Sequence, residues 1–313
     1  MEENKKLVGM KKYQFNFYKR RLGDRYDGWR VRKIDPTFRL VPYVLRTRMD
    51  SQVFFEVRLP IDTIENFIKE QKANIPNLSL MHVIMASLVR VFSQRPYMNR
   101  FVIWNKIFAR NTFSISLAIK RSLTDKGEES IVKPYFNLKD TLADVVEKVN
   151  AELENSQPVG QKNSQDTVSE LLSLLPDFLL RSVIFILFWL DKVGLLPKII
   201  NKISPWHSSL FLTNIGSLGI DSIYHHLYEF GTCSAFVAMG KKCRETVVQR
   251  DGSLAQKKTM LLRFVMDERI CDGYYYASSM RQLEKILANP SVLLTPPEKV
   301  VADDGVGRKA NDL

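Results

Sequence analysis

Apolar residues recur along the chain with two different spacings. Alternation at every second residue in Thr112–Lys120, and aromatic and β-branched residues in Gln52–Leu59, predict strands. Apolar positions three and four residues apart predict helices that begin at Asp62, Ser79 and Thr141, each preceded by or containing a residue suited to a helix start. The first half of the chain therefore mixes strands with helices.

The second half continues the mixture. A strand is predicted at Ser208–Asn214, a hairpin that turns at Asp251-Gly252, and a last helix over roughly Tyr274–Leu287. The polar residues after Thr295 are expected to be loose. No Gly-rich nucleotide-binding loop follows a strand, so we predict a mixed sheet with packed helices rather than a doubly wound nucleotide-binding fold.

One segment, Phe178–Leu190, is apolar at nearly every position and is interrupted at Arg181. Its thirteen residues fall short of the roughly 20 that a membrane-spanning helix needs. A buried helix is the first interpretation, followed by a partner-facing helix and then an interfacial one. We expect residues 170–200 to form helix packed over the domain or an adjoining subunit, and otherwise to contact a protein partner or a membrane surface.

Charge and cysteine content change the picture only slightly. The net charge is +12, and residues 1–50 hold fourteen Lys and Arg against six Asp and Glu. We interpret this basic leader as a solvated, partly ordered arm rather than a nucleic-acid-binding element, because no nucleic-acid-binding motif accompanies it. Three cysteines match neither a disulfide framework nor a zinc site, which predicts a reduced, cytoplasmic protein without a structural metal.

Three stretches carry a resemblance to a known family. Asp267–Gly273, which reads DERICDG and precedes Asn289-Pro290, is similar to a D-H-R-V-V-D-G segment that ends in E-N-P; Ser208–Gly216 with Gly219 is similar to a G-T-F-T-I-S-N-L-G strand; and Pro96–Asn99 is similar to a P-x-x-N stretch. In this order they resemble the chloramphenicol acetyltransferase-like superfamily. The nearest branch is the catalytic domain of the acyltransferase component of 2-oxo-acid dehydrogenase complexes.

The resemblance implies an α/β fold, a two-layer sandwich of a mixed β-sheet and packed helices. It covers about residues 41–294, with a helical insertion at about 156–204, a basic N-terminal extension at 1–40 and a polar C-terminal tail at 295–313. It also implies a homotrimer with sites between subunits. Residues 1–40 are too short for the lipoyl and partner-binding domains of the full dehydrogenase component, so we expect neither.

Glu268 stands where the family has the histidine of its HxxxDG motif. In the family that histidine is the general base that takes the proton of the coenzyme A thiol or of an acceptor hydroxyl. A carboxylate, with an ordinary pKa near 4.3, is a poor acceptor for a thiol with a pKa near 8.5 unless burial raises the carboxylate pKa.

Other family positions are retained. Asp272 matches an aspartate that pairs with an arginine and holds the loop, and Arg46 and Arg48 are both candidate partners. The family also stabilises the oxyanion with a strand hydroxyl. Two alignments place that hydroxyl at Ser208 or at Ser209.

His207 is the candidate for a relocated base, because it directly precedes these hydroxyls. On a strand it shares a face with Ser209 and not with Ser208. Cys271 is a less suitable nucleophile and is expected to be a small apolar core residue.

Two functions follow as hypotheses. The first is a coenzyme A-dependent acyltransferase that moves an acyl group between a thioester and an unknown acceptor, with coenzyme A or acyl-coenzyme A as substrate. The second is a catalytically inactive member of the family that acts as a binding or scaffolding trimer.

Overall fold

The strands of the described residues form one large mixed sheet and one small antiparallel sheet. The computed structural model describes residues 13–120, 129–155, 164–249 and 251–311. Its strands are β1 (Gly28–Arg30), β2 (Gln52–Pro60), β3 (Arg100–Ile103), β4 (Lys106–Arg110), β5 (Phe113–Lys120), β6 (Glu129–Val132), β7 (Tyr135–Phe136), β8 (Leu210–Asn214), β9 (Ala235–Val248) and β10 (Leu254–Asp267).

The large sheet has the strand order β2-β10-β9-β8-β5-β6, and β7 also pairs with β5. Strand β8 runs parallel to both of its neighbours, β5 and β9, whereas β2, β9 and β10 pair antiparallel. The hairpin of β9 and β10 turns at Asp251-Gly252, as the sequence predicts. Strands β1, β4 and β3 form the small sheet.

Helices cover one face of the large sheet. The α-helices are α1 (Pro36–Val44), α2 (Asp62–Gln71), α3 (Leu80–Gln94), α4 (Leu142–Glu154), α5 (Ser164–Ser173), α6 (Asp177–Lys192), α7 (Lys198–Ile203) and α8 (Gly273–Ala288). Ile84 of α3 and Leu283 of α8 share the main core with Phe113, Ile115 and Leu117 of β5. The alternation predicted for β5 is therefore confirmed, and so is the two-layer α/β sandwich.

Two of the three predicted helix starts have the expected caps. The Ser79 side chain accepts a hydrogen bond from the third residue of α3, and Thr141 forms a reciprocal capping box with Asp144. The third start is different, because Ile61 occupies the cap position of α2 without a side-chain bond. Asp62 lies inside the first turn instead and accepts the backbone N–H of Lys258, which attaches α2 to β10.

Both ends of the described chain are packed, contrary to the expectation of a solvated leader and a loose tail. Phe17 and Trp29 belong to the main core. The carboxylate of Asp303 accepts from Arg100 Nε at 2.6 Å, and both side chains are buried. The Tyr18 hydroxyl donates to the Asp303 carbonyl at 2.7 Å. Because these contacts are remote in sequence, neither terminal pattern revealed them; residues 1–12 of the leader lie outside the described part.

The insertion is helical as predicted, but its apolar side chains do not pack over the domain of the single chain. Asp191 is the one buried residue of α6. Phe185 and Trp189 are 62% and 44% exposed. Within the described ranges no helix has both the length and the apolar character needed to cross a membrane, as the sequence predicts. Whether a neighbouring subunit covers α6 stays a prediction.

Candidate active site

The loop between β10 and α8 is held by a buried ion cluster. Asp267, the last residue of β10, is fully buried and accepts two hydrogen bonds from Arg269, from Nε to Oδ1 at 2.8 Å and from Nη2 to Oδ2 at 2.7 Å. Arg48 Nε lies 3.9 Å from Asp267 Oδ2. The Tyr276 hydroxyl donates to the Asp267 carbonyl at 2.6 Å. A bidentate pair enclosed in this way fixes the loop that carries the family motif.

Asp272 has a different role from the one that the resemblance implies. Its carboxylate accepts the backbone N–H of Tyr275 at 2.8 Å and caps α8. The expected ion pair with Arg46 or Arg48 is not formed in the described residues, because Arg48 has Asp267 as its ionic partner and Arg46 is exposed. The arginine-paired aspartate of the loop is therefore Asp267.

Glu268 is exposed on the single chain. Its backbone N–H donates to the carbonyl of Ser51 at 2.8 Å, while Asp267 and Arg269 on either side are buried. Neighbouring residues of an extended chain point to opposite sides. The inward direction of Asp267 and Arg269 therefore directs Glu268 outward, and the single chain does not enclose it in a water-poor channel.

The two candidate oxyanion hydroxyls lie just before β8 and are both buried. The Ser208 hydroxyl donates to the carbonyl of Pro205 at 3.0 Å. Ser209 Oγ accepts the backbone N–H of Ser114 at 3.2 Å. An oxyanion needs a hydroxyl hydrogen, and of the bonds recorded for the described residues only that of Ser208 uses one. Both serines remain candidates, with Ser209 the freer donor.

His207 belongs to a buried polar cluster that joins three parts of the chain. Its Nε2 lies 3.2 Å from Asp191 Oδ2 of α6, and its Nδ1 lies 2.7 Å from Ser204 Oγ. Arg25 donates to Asp191 Oδ1 at 2.7 Å and to Asp27 Oδ1 at 2.8 Å. Both ring nitrogens of His207 are thus occupied, and the cluster anchors the C-terminal end of α6 to the N-terminal arm and to β8.

Ionisation in this cluster follows from burial. Burial lowers the pKa of His207, so the imidazole is neutral at physiological pH. Burial opposes ionisation of Asp191 as well, but hydrogen bonds and charges from His207 and Arg25 lower its pKa to about 2. A neutral His207 that donates from Nε2 to a charged Asp191 and accepts the Ser204 hydroxyl at Nδ1 satisfies all three groups.

This cluster predicts a pH-dependent stability. Below the ordinary histidine pKa of 6.5 the unfolded chain binds a proton that folded His207 does not, so the free energy of unfolding falls as the pH decreases from 6.5. We expect His207→Asn to reduce this slope in urea unfolding between about pH 8 and 5, while the slope from buried His82, whose pKa burial also lowers, remains. Identical slopes for the variant and the parent would contradict the assignment.

A cavity of about 290 Å³ connects the loop to the insertion. Its lining includes Trp104, Arg46, Arg48, Lys192, Arg269, Asp191 and Glu229. Four cations face two carboxylates, and the buried Nε of Arg48 has no hydrogen-bond partner. Neither Glu268 nor Ser208 nor Ser209 lines this cavity. Its charge suits an anionic part of a ligand.

The comparisons with known proteins agree with this arrangement. Residues 206–295 match the profile of the family described as 2-oxoacid dehydrogenases acyltransferase (catalytic domain). The cubic core of the pyruvate dehydrogenase multienzyme complex superposes with a TM-score of 0.52 at 13% identity, over 82% of this chain and 88% of that chain. The chain therefore has an acyltransferase-core fold.

Two further solved structures support the same acyltransferase-core fold. The dihydrolipoamide acetyltransferase of Azotobacter vinelandii gives a TM-score of 0.52 at 13% identity, over 88% of this chain and 94% of that chain. The truncated catalytic core of the Thermoplasma acidophilum 2-oxoacid dehydrogenase complex gives 0.50 at 14% identity, over 83% and 98%. No curated protein sequence matches the chain.

The polar groups that organise the site were mostly missed by sequence reasoning. Asp267 and Arg269 stand two residues apart in the motif, and Arg25 and Asp27 repeat that spacing in the arm. Such pairs are common on solvated surfaces, so the spacing alone does not indicate burial. Cys271 is buried in the main core, as expected, and burial raises the pKa of its thiol.

Proposed function

We propose that the protein is a coenzyme A-dependent acyltransferase that moves an acyl group between a thioester and an acceptor. The observation that carries the proposal is the family match at residues 206–295, which includes β8, the long hairpin and the motif loop, on an acyltransferase-core fold. The dihydrolipoamide acetyltransferases among the similar structures make a dithiol the first acceptor to test.

The proposed reaction needs a base and an oxyanion donor. A base takes the proton of the attacking thiol, the thiol sulfur forms a bond to the acyl carbon, and the bond from that carbon to the donor sulfur breaks. The departing thiolate then takes up a proton. Glu268 is our candidate for the base, and the Ser209 or Ser208 hydroxyl for the donor to the oxyanion.

This role for Glu268 depends on a second subunit. Glu268 is exposed on the single chain, whereas a catalytic carboxylate that accepts a thiol proton needs burial to raise its pKa. The resemblance implies a homotrimer with sites between subunits, and we propose that a neighbouring copy covers Glu268. Buried Asp267 and Arg269 act as positioning residues, because they hold the loop that presents it.

The cation-lined cavity supports coenzyme A as a substrate. Arg46, Arg269 and Lys192 border it next to the exposed ring of Trp104. Coenzyme A carries phosphate groups and an adenine, which pair with guanidinium groups and stack on aromatic rings respectively. The cavity lies on the same side of the loop as Arg269, so a ligand held there is one residue away from Glu268.

Calorimetric titration with coenzyme A and acetyl-coenzyme A tests the proposal, together with chromatographic detection of acetyl transfer to dihydrolipoamide. We expect both thioester and free thiol to bind, and light scattering to give three times the mass of one chain. Binding to a trimer without any acyl transfer would instead favour the inactive binding trimer. Absence of binding to either compound would contradict the proposal.

A further inference from the structure

The insertion helix α6 exposes apolar side chains along its whole length. Phe178, Phe185 and Ile186 are 69%, 62% and 54% exposed, and the preceding α5 and its connection leave Leu171 and Leu174 66% and 79% exposed. A helix that is apolar in this way is normally surrounded by protein or by lipid. The single chain provides no cover for it within the described residues.

These side chains point in several directions around the helix. Phe178 and Phe185 lie seven residues apart and share one side of α6, whereas Ile184 points to another side and is itself 37% exposed. A groove on a protein partner covers one side of a helix. Lipid chains at a membrane surface surround a larger part of it, which matches the distribution on α6.

A strained turn places a second tryptophan beside α6. Trp104 and Asn105 connect β3 to β4 and both have left-handed backbone angles, with φ of 47° and 56°. Such a conformation is costly for a bulky residue and is typical of functional positions. It holds the Trp104 ring 56% exposed and edge-on to Trp189 of α6, with the ring centroids 6.1 Å apart. Tryptophan is the side chain most suited to the boundary between lipid and water.

Positive charge surrounds the two rings. Lys106 Nζ lies 5.9 Å from the Trp104 ring centroid, and Lys192 Nζ lies 5.2 Å from that of Trp189. Cavities on either side of the turn are lined by further basic side chains, namely Arg20, Arg30, Arg32 and Arg39. A second copy of this chain would bring the same positive charge, since each chain carries a net +12. An anionic surface is complementary to it.

We propose that α5, α6 and the turn at Trp104–Lys106 form an attachment surface for membranes rich in anionic phospholipid. The helix α6 is too short to cross the bilayer and would lie in the plane of the interface, with Phe178, Phe185 and Trp189 among the acyl chains. Lys106 and Lys192 would remain at the level of the phosphate groups. This surface would bring an acyltransferase core to a membrane, but the inference does not depend on the proposed function.

Sedimentation of the full chain with vesicles tests the inference. We expect binding to phosphatidylcholine vesicles that contain about a third phosphatidylglycerol, and clearly weaker binding to phosphatidylcholine alone. The double variant Phe185→Glu/Trp189→Glu should lower the affinity about tenfold or more, because two inserted side chains become charged. Lys106→Glu/Lys192→Glu should remove the preference for anionic vesicles.

A matched control comes from the β9–β10 hairpin, where Val248 and Leu254 are both 71% exposed and lie outside the proposed surface. Val248→Glu/Leu254→Glu should bind vesicles like the parent, and circular dichroism should show all variants folded. Equal binding by Phe185→Glu/Trp189→Glu and the control would overturn the inference. So would a loss of oligomeric mass in that variant without a loss of vesicle binding, which would assign α6 to a contact between copies.

Discussion

Glu268→Gln is expected to remove most acyl transfer while leaving the affinity for coenzyme A nearly unchanged. A general base in the correct place contributes about a hundred- to ten-thousand-fold to the rate, and the amide cannot accept the thiol proton. The side chain is exposed and makes no printed contact with the cation-lined cavity, so binding there should not depend on its charge. Steady-state rates and calorimetry on the same preparations separate the two effects.

Glu268→His gives the opposite expectation. An imidazole with an ordinary pKa near 6.5 is a better acceptor for a thiol than a carboxylate with a pKa near 4.3, so activity should rise. Glu284→Gln is the matched control, because Glu284 is an exposed glutamate on α8 away from the motif loop. If the parent and both Glu268 variants have equal rates, Glu268 is not the base and the loop has only a structural role.

Asp267→Asn is expected to lower the free energy of unfolding by about 3–5 kcal/mol. The substitution removes the one carboxylate that faces the buried guanidinium groups of Arg269 and Arg48 and leaves two desolvated positive charges without a counter-charge. Burial already lowers the pKa of Arg48, which reflects the cost of that charge. Urea unfolding of the parent and the variant measures the loss.

Asp272→Asn is the matched control in the same loop. Asparagine caps a helix about as well as aspartate, so this change should alter the free energy of unfolding by no more than about 0.5 kcal/mol. The pair distinguishes two interpretations of the motif. A larger loss for Asp272→Asn than for Asp267→Asn would mean that Asp272 is the arginine-paired residue after all.

The secondary structure was largely predictable because its signals are local. The alternation in β5, the capping residues Ser79 and Thr141 and the turn at Asp251-Gly252 act over a few residues and need no information from the rest of the chain. The same applies to the length of α6, which excludes a membrane-spanning helix. The order of these elements and three motifs also determined the fold class.

The electrostatic organisation of the candidate site could not be predicted in the same way. Whether Asp267 or Asp272 faces an arginine depends on which of them points inward at the end of β10, and whether Glu268 is buried depends on a neighbouring chain. His207 was a candidate base by its position before β8, but folding brings Asp191 of the insertion to its Nε2. Burial and long-range partners set these pKa values, and neither is a property of a local sequence window.

The sequence by itself determined the two-layer α/β sandwich, the limits of its helices and strands and the substitution of Glu268 in the family motif, since periodicity, caps and motif order are written in neighbouring residues. Only the tertiary structure decided that both chain ends pack together, that Asp267 is the buried partner of Arg269 and that α6 leaves its apolar side chains exposed. These features depend on contacts between residues far apart in the chain, whose energies arise from burial and charge in three dimensions.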